Sequence, residues 1–262
     1  MLEINLRNKV AIVTGVSSGI GKGVAKMLAQ AGCIVSGCGL TKQSDLSVME
    51  FYATAKANGV EALYTEADVT INAELAMLVE NTANKFGRID ILVSNAGENV
   101  FKGAEKCTED EWMYNHRLNL SSHWEISRMC KPFLEKTGKG VIIIMASNHA
   151  FSSIPGCFPY NVTKTALTGL VRSLAIEWGP KIRAIGIAPG FVETPAHDKW
   201  FASFPDAEAE RQRTIKLHPA GRLGSAEEVG ALCAFLATEY AAFMTGTTYL
   251  IDGGRSALMQ DE

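Results

Sequence analysis

Short apolar runs alternate with longer amphipathic stretches along nearly the whole chain. This rhythm is the feature that most narrows the folds open to it. Residues 10–13, 34–38, 62–64, 89–93, 141–145, 182–187 and 247–251 read as strands. The stretches 19–31, 44–58, 71–86, 158–178 and 225–236 read as helices, and 108–134 as mostly helix. The strand runs are continuous in Val and Ile rather than alternating, as expected of strands buried on both faces. Strands separated by helices imply parallel pairing with right-handed crossovers. The expectation is an α/β fold, a doubly wound parallel sheet of about seven strands flanked by helices, as one domain over 1–262. A ligand of such a sheet belongs at the carboxyl ends of the strands.

Composition narrows the function classes. The chain is 47% hydrophobic with a net charge of −3, which gives no reason to expect nucleic acid or an anionic membrane as partner. No apolar run is long enough to span a bilayer, and residues 1–9 carry no signal-peptide pattern. The six cysteines are scattered without a Cys-x-x-Cys, pointing to reduced thiols in a cytoplasmic protein. The five histidines lack paired metal-ligand spacing, so no metal is expected.

The segment 190–218 breaks the rhythm. It holds Trp200, Phe201 and Phe204 among charges and prolines, just after a strand's carboxyl end. It reads as a lid over the site, with a surface excursion as the plainer reading. The turn Thr14-Gly15-Val16-Ser17-Ser18-Gly19-Ile20-Gly21 joins the first strand to the first helix. Glycine there permits positive φ and close backbone approach, and the helix start offers free N–H groups to a pyrophosphate. Taken alone, any tight strand-to-helix turn would favour such glycines.

This T-G-x-x-x-G-x-G spacing resembles the classical short-chain dehydrogenase/reductase family, whose fold is of Rossmann type. Further matches follow in order along nearly the whole chain: Asp68-Val69; Ser94-Asn95-Ala96-Gly97, with serine for the family's first asparagine; Asn119, Ser147, Tyr160 and Lys164; Pro189-Gly190 and Thr194; and Ile251-Asp252-Gly253-Gly254. The resemblance implies an NAD(P)-dependent oxidoreductase that interconverts an alcohol and a carbonyl. It implies cofactor contacts from Gly15, Ser17, Ser18, Gly19, Ile20 and Gly21, and from Gly39, Leu40 and Thr41 after the second strand. It adds Asp68, Val69, Asn95, Ala96 and Gly97, then Tyr160, Lys164, Pro189, Gly190, Val192 and Thr194. For Asn95 and Gly97 a plain turn is the competing view. A homotetramer paired through the two long helices is also implied.

Tyr160 and Lys164 are four apart on one helix and therefore share a face. A free phenol titrates near 10, and a neighbouring ammonium is expected to lower it. Tyr160 is thus the expected general acid/base and Lys164 its tuner; the resemblance adds a ribose contact for Lys164. Ser147, at a strand's carboxyl end, is expected to hold the reacting oxygen for Tyr160. Asn119 is, by resemblance, a water-holding link to the lysine; its plainer reading is a helix-interior amide. NAD and NADP both remain open. The acid that would bind the ribose diol is replaced by Gly39, Ser18 stands where a basic NADP marker often lies, and Leu40 replaces an arginine. The missing carboxylate leans slightly to NADP.

Asn148 and His149, with Glu193 and His197 at the lid's start, form an expected polar substrate lining, with Trp200 beside them. This favours a sugar or polyol, although Phe151, Ile154, Phe158, Trp200 and Phe204 would equally line an apolar pocket. A 3-oxoacyl thioester reductase is the alternative. A non-catalytic dinucleotide-binding or sensing protein on the same fold is the alternative of another class.

Overall fold

The run Val-Ala-Ile-Val-Thr forms the first strand, β1 (Val10–Thr14), with every residue buried. α1 (Gly19–Gln30), β2 (Ile34–Gly39), α2 (Leu46–Ala57), β3 (Ala62–Glu66), α3 (Asn72–Phe86) and β4 (Ile91–Ser94) complete the first half. The second half runs α4 (Glu109–His116), α5 (Ser122–Lys136), β5 (Gly140–Met145), α6 (Tyr160–Trp178) and β6 (Ile182–Pro189). It ends with α7 (Pro195–Phe201), α8 (Ala207–Lys216), α9 (Ala226–Leu236) and β7 (Thr248–Ile251). The computed structural model describes residues 3–258; the ends of the expected 1–262 domain, 1–2 and 259–262, lie outside the described residues.

All seven strands pair in parallel in the order β3-β2-β1-β4-β5-β6-β7. The order reverses direction between β1 and β4, so the crevice opens at their carboxyl ends. Neighbouring strand residues face opposite sides, and both sides are dry. Ile143 and Val13 pack with α1, α2 and α9, whereas Ile142, Ile144 and Ile12 pack with α3, α5 and α6. Burying each such side chain contributes about 1.5–3 kcal/mol, which explains the continuous apolar runs. α1 and α9 cross closely because glycines face each other. A Cβ on Gly23 would stand 2.5 Å from the Ala226 backbone, and one on Gly230 would stand 2.6 Å from the Gly23 carbonyl.

Two expectations change in detail. The helix expected over 108–134 is broken into α4 and α5 by a wider π turn, Arg117–Ser121, and runs on to Lys136. The excursion 190–218 is largely helical, as α7 and α8. An aromatic cluster holds it, with exposed Trp200 5.5, 5.1 and 4.7 Å from the ring centres of Phe191, buried Phe201 and Phe204. Among the described residues no helix is long and apolar enough to cross a membrane.

Candidate active site

The turn after β1 is open where an anion would sit. Gly15 and Gly19 adopt φ of 77° and 54°, the left-handed region that glycine tolerates. Ser18 caps α1 without a side-chain hydrogen bond, and no acid occupies the first turn. The first amides of α1 are therefore available to a phosphate. A Cβ on Gly21 would run into the Gly15 carbonyl, and one on Gly15 would stand 3.1 Å from Asn95 Nδ2. Thr194 closes the turn from the other side, 3.3 Å from where a Gly19 Cβ would be. A backbone-lined cradle with unpaired donors fits the pyrophosphate of a nicotinamide dinucleotide. Ser17, Ile20 and Ala96 sit in or beside this cradle by chain position.

Its outer end carries no charge at β2. A Cβ on Gly39 would lie 3.2 Å from both Ser17 Oγ and Tyr64 Oη. Leu40 is exposed, and the Thr41 carbonyl accepts from Tyr64 Oη at 2.7 Å. Asp68 accepts from the amide of Thr70, fixing the turn after β3, while Val69 is buried.

Ser147 follows β5, and Tyr160 opens α6 beside it. The Ser147 side chain lies beside the phenol; its hydroxyl donates to Asn148 Oδ1 at 3.4 Å and accepts the His149 amide at 3.2 Å. Lys164, one helical turn on, is buried. Its ammonium donates to the Met145 carbonyl at 2.9 Å and lies 5.5 Å from the Tyr160 ring centre.

The electrostatics differ from the sequence expectation. Burial pushes the phenol up to about 12, opposed by the Ser147 side chain beside it, and burial brings Lys164 down to about 7. Desolvation of a phenolate outweighs help from an amine that points to a strand carbonyl. The proton therefore resides on Tyr160 near neutral pH in the free protein.

Asn119 lies in the π turn. Its side chain holds the backbone of Glu98 from both directions, accepting the amide at 3.1 Å and donating to the carbonyl at 2.9 Å. It also donates to Asn115 at 2.9 Å. A Cβ on Gly97 would stand 2.6 Å from Asn119 Oδ1 and 3.6 Å from Lys164 Nζ, so this turn needs glycine. Asn95 donates to the Thr14 carbonyl at 2.9 Å, pinning the turn to β1. Ser94, the departure from the family pattern, pairs with buried His123 at 2.7 Å. Burial and the nearby Lys164 charge hold that imidazole well below its ordinary value.

The substrate-side residues separate into two groups. His149 packs edge-on to Tyr160, with ring centres 6.1 Å apart, and Asn148 is buried beside Ser147. Phe101, absent from the sequence reading, contacts both rings at 5.4 and 5.8 Å. It arrives through a β-bridge to Pro159, a long-range contact with no local signal. Glu193, His197 and Trp200 instead belong to the excursion's own packing. Glu193 pairs with Arg211 at 2.7 Å, and His197 stacks on Phe191 and donates to the Val192 carbonyl at 2.6 Å. Phe158 stacks on Trp112, while Phe151 and Ile154 are exposed. Pro189 and Gly190 adjoin Asp252 of the closing motif, where a Gly190 Cβ would stand 2.6 Å from the Asp252 Cβ.

Known proteins share this arrangement. The family model described as Enoyl-(Acyl carrier protein) reductase matches residues 15–256. The human dehydrogenase/reductase SDR family member 4 is 35% identical over 95% of this chain and 88% of its own. The aldohexose dehydrogenase of Thermoplasma acidophilum superposes with a TM-score of 0.88 at 27% identity, covering 98% of this chain and 97% of that one. A 7α-hydroxysteroid dehydrogenase solved with NADH and 7-oxo glycochenodeoxycholic acid gives 0.88 at 30% identity, covering 96% of each. With the cradle, the sheet order and these relatives in agreement, the chain belongs to the short-chain dehydrogenase/reductase family and is an oxidoreductase of CH–OH groups that uses a nicotinamide dinucleotide.

Proposed function

We propose that this enzyme interconverts a secondary alcohol or hemiacetal and its carbonyl on a sugar or polyol, with Tyr160 as general acid/base. The observation that carries this reading is the placement of Ser147 at the carboxyl end of β5 beside Tyr160 at the start of α6, with buried Lys164 one turn on. Bound nicotinamide supplies or accepts the hydride. Ser147 holds the substrate oxygen, and Tyr160 gives or takes its proton. Lys164 lies at the inner wall of the cradle, where it binds the cofactor's ribose. Asn119 is a positioning residue that fixes the 97–98 turn against Lys164. The segment 190–218 acts as a lid hinged at Gly190 and clamped by Thr194 over the cradle.

Asn148 and a neutral His149 offer hydrogen bonds to hydroxyls. Burial, aided by the Arg255 charge, keeps the His149 imidazole below its usual value. The likeness to an aldohexose dehydrogenase supports a sugar. A second reading is reduction of a 3-oxoacyl thioester; the family model's description, an enoyl-(acyl carrier protein) reductase, shares its acyl-thioester substrate class though not its carbonyl. NADP is the proposed cofactor because no carboxylate occupies position 39; Gly39→Asp should shift preference toward NAD. Free thiols, most of them buried, support a cytoplasmic setting. Exposed Ile176 on α6, with Phe243 and Leu250 around β7, supports a homotetramer, which light scattering checks.

Nicotinamide absorbance is followed with each cofactor against sugars, polyols, ketones and 3-oxoacyl thioesters. Turnover of hydroxylated substrates above the others supports the proposal. Preferential thioester reduction selects the second reading. Tight cofactor binding without turnover of any of them would favour a sensing protein.

A further inference from the structure

Among the described residues Arg255 has a charge without a hydrogen-bonded partner. It follows the glycine pair after β7, whose last residue, Ile251, is in register with Pro189 of β6. The turn that carries it therefore stands at the carboxyl edge of the sheet, beside the start of the 190–218 segment. Gly253 and Gly254 adopt φ of 62° and 83°, and the Ala220 amide donates to the Gly253 carbonyl at 3.0 Å. The far end of the same segment thus packs against the turn. Asp252, the nearest acid in sequence, is occupied by the backbone: it accepts from the Gly254 amide at 3.0 Å and the Ser256 amide at 2.8 Å.

Among the described residues Arg255 forms no ion pair, and its Nη1 is sealed from solvent with no acceptor. His218 Nε2 and Ser256 Oγ, from the same corner, are buried and unpartnered as well. A guanidinium N–H shut away without an acceptor is costly, so three such groups in one corner call for a polar occupant. The charges that face Arg255 are Arg213 of α8, which repels it, and Asp252, which attracts it. Arg213 is held by both oxygens of Glu210 at 2.7 and 2.9 Å. The field of Arg255 also reaches His149 and His218. His149 in turn packs edge-on to Tyr160, so the guanidinium acts on an imidazole that adjoins the phenol.

We propose that Arg255 binds an anionic group of the substrate, so that the substrate is a hydroxylated acid or sugar phosphate rather than a neutral polyol. This rests on the hydride-transfer reading above and narrows its substrate class. The planar fork of arginine suits the paired oxygens of a carboxylate or phosphate. With the anion on Arg255 and the carbinol between Ser147 and Tyr160, the neutral imidazole of His149 bonds the hydroxyls between them.

The test compares wild type, Arg255→Gln and Arg255→Lys, each with saturating NAD and with saturating NADP. Each is assayed on a polyol, the aldonate of the same skeleton and the corresponding sugar phosphate. Wild type should prefer one of the anions, which also identifies its chemistry. Arg255→Gln should raise KM for that anion about 10- to 100-fold while leaving the polyol and the cofactor Kd unchanged. Arg255→Lys should recover part of the loss. Calorimetric titration of the same anions into the enzyme–cofactor complex reads the site without turnover. Anion binding lost in Arg255→Gln, with no turnover of any substrate, would uphold the anion site and defeat the hydride-transfer reading. Turnover with equal effects on anion and polyol, or wild type that binds neither anion, would defeat the anion site alone. Loss of cofactor affinity and thermal stability in both variants would make Arg255 structural and overturn the proposal.

Discussion

The turn after β1 and the excursion after β6 both face the carboxyl edge of one sheet, yet they are built by opposite means. The first is backbone packed on backbone. Gly21 lies against the Gly15 carbonyl, Asn95 ties the turn to Thr14, and the first turn of α1 carries no acid. The second is side chain packed on side chain. Phe191, Trp200 and Phe204 gather around buried Phe201, and Thr194 over Gly19 is a narrow contact with the cradle. A cradle fixed by backbone tolerates few substitutions but serves any member of a family with the same cofactor. A segment held by its own aromatic cluster can change and move without disturbing the sheet, which suits the part proposed to cover the substrate.

The largest expected effect lies at the seam between the two regions. Tyr160→Phe should lower kcat about 10³-fold without altering cofactor Kd. Rapid residual turnover would remove the phenol from its proposed role and leave the comparison without a chemical centre. Within the cradle, Gly21→Ala places a methyl group against the Gly15 carbonyl. The resulting overpacking should cost about 1–3 kcal/mol of stability and weaken cofactor binding measured by fluorescence titration. An unchanged Kd would show that the cradle yields as readily as the lid.

A third test reads the buried lysine. Its folded value, near 7, lies below the ordinary 10.5, so the unfolded chain binds more protons between those values. Stability of the cofactor-free protein should therefore gain from rising pH between 7 and 9. Above that window the buried thiols and Tyr160, all raised, act in the opposite sense. Lys164→Met should be the more stable protein at pH 7, with its advantage shrinking toward pH 9 in chemical denaturation. A constant difference between the two proteins would mean that Lys164 is not desolvated. The smallest effect belongs to the excursion. Trp200→Ala should raise substrate KM a few-fold through a looser 190–218 segment, with cofactor Kd unchanged. A matching loss of cofactor affinity would show that the two regions are mechanically one.

Local patterns were the legible part. Continuous Val and Ile runs marked the central strands such as β1 and β5, because burial on both faces leaves no room for polar alternation. The glycine turn was legible because positive φ and close approach restrict residue type over a few positions. Ser147, Tyr160 and Lys164 were readable from spacing and from their place at a strand end and a helix start. The π turn at Asn119 left no mark in the periodicity, since one extra residue in a turn does not change which residue types are apolar. Phe101 reached Tyr160 only through the bridge to Pro159, and the His123 partner of Ser94 lies a whole helix away.

The sequence by itself determined the parallel sheet and pointed to the residues proposed for the crevice's chemistry, because those depend on short-range periodicity and on residue types at fixed spacing. Only the tertiary structure decided the protonation of the site and the make-up of its substrate side. Desolvation reverses the expected direction for Tyr160, and it acts through everything packed around a group rather than through its neighbours in the chain. In the same way Glu193 and His197 are turned into the excursion's own contacts, while Arg255, unremarkable in the sequence, is left as the charge in search of a partner.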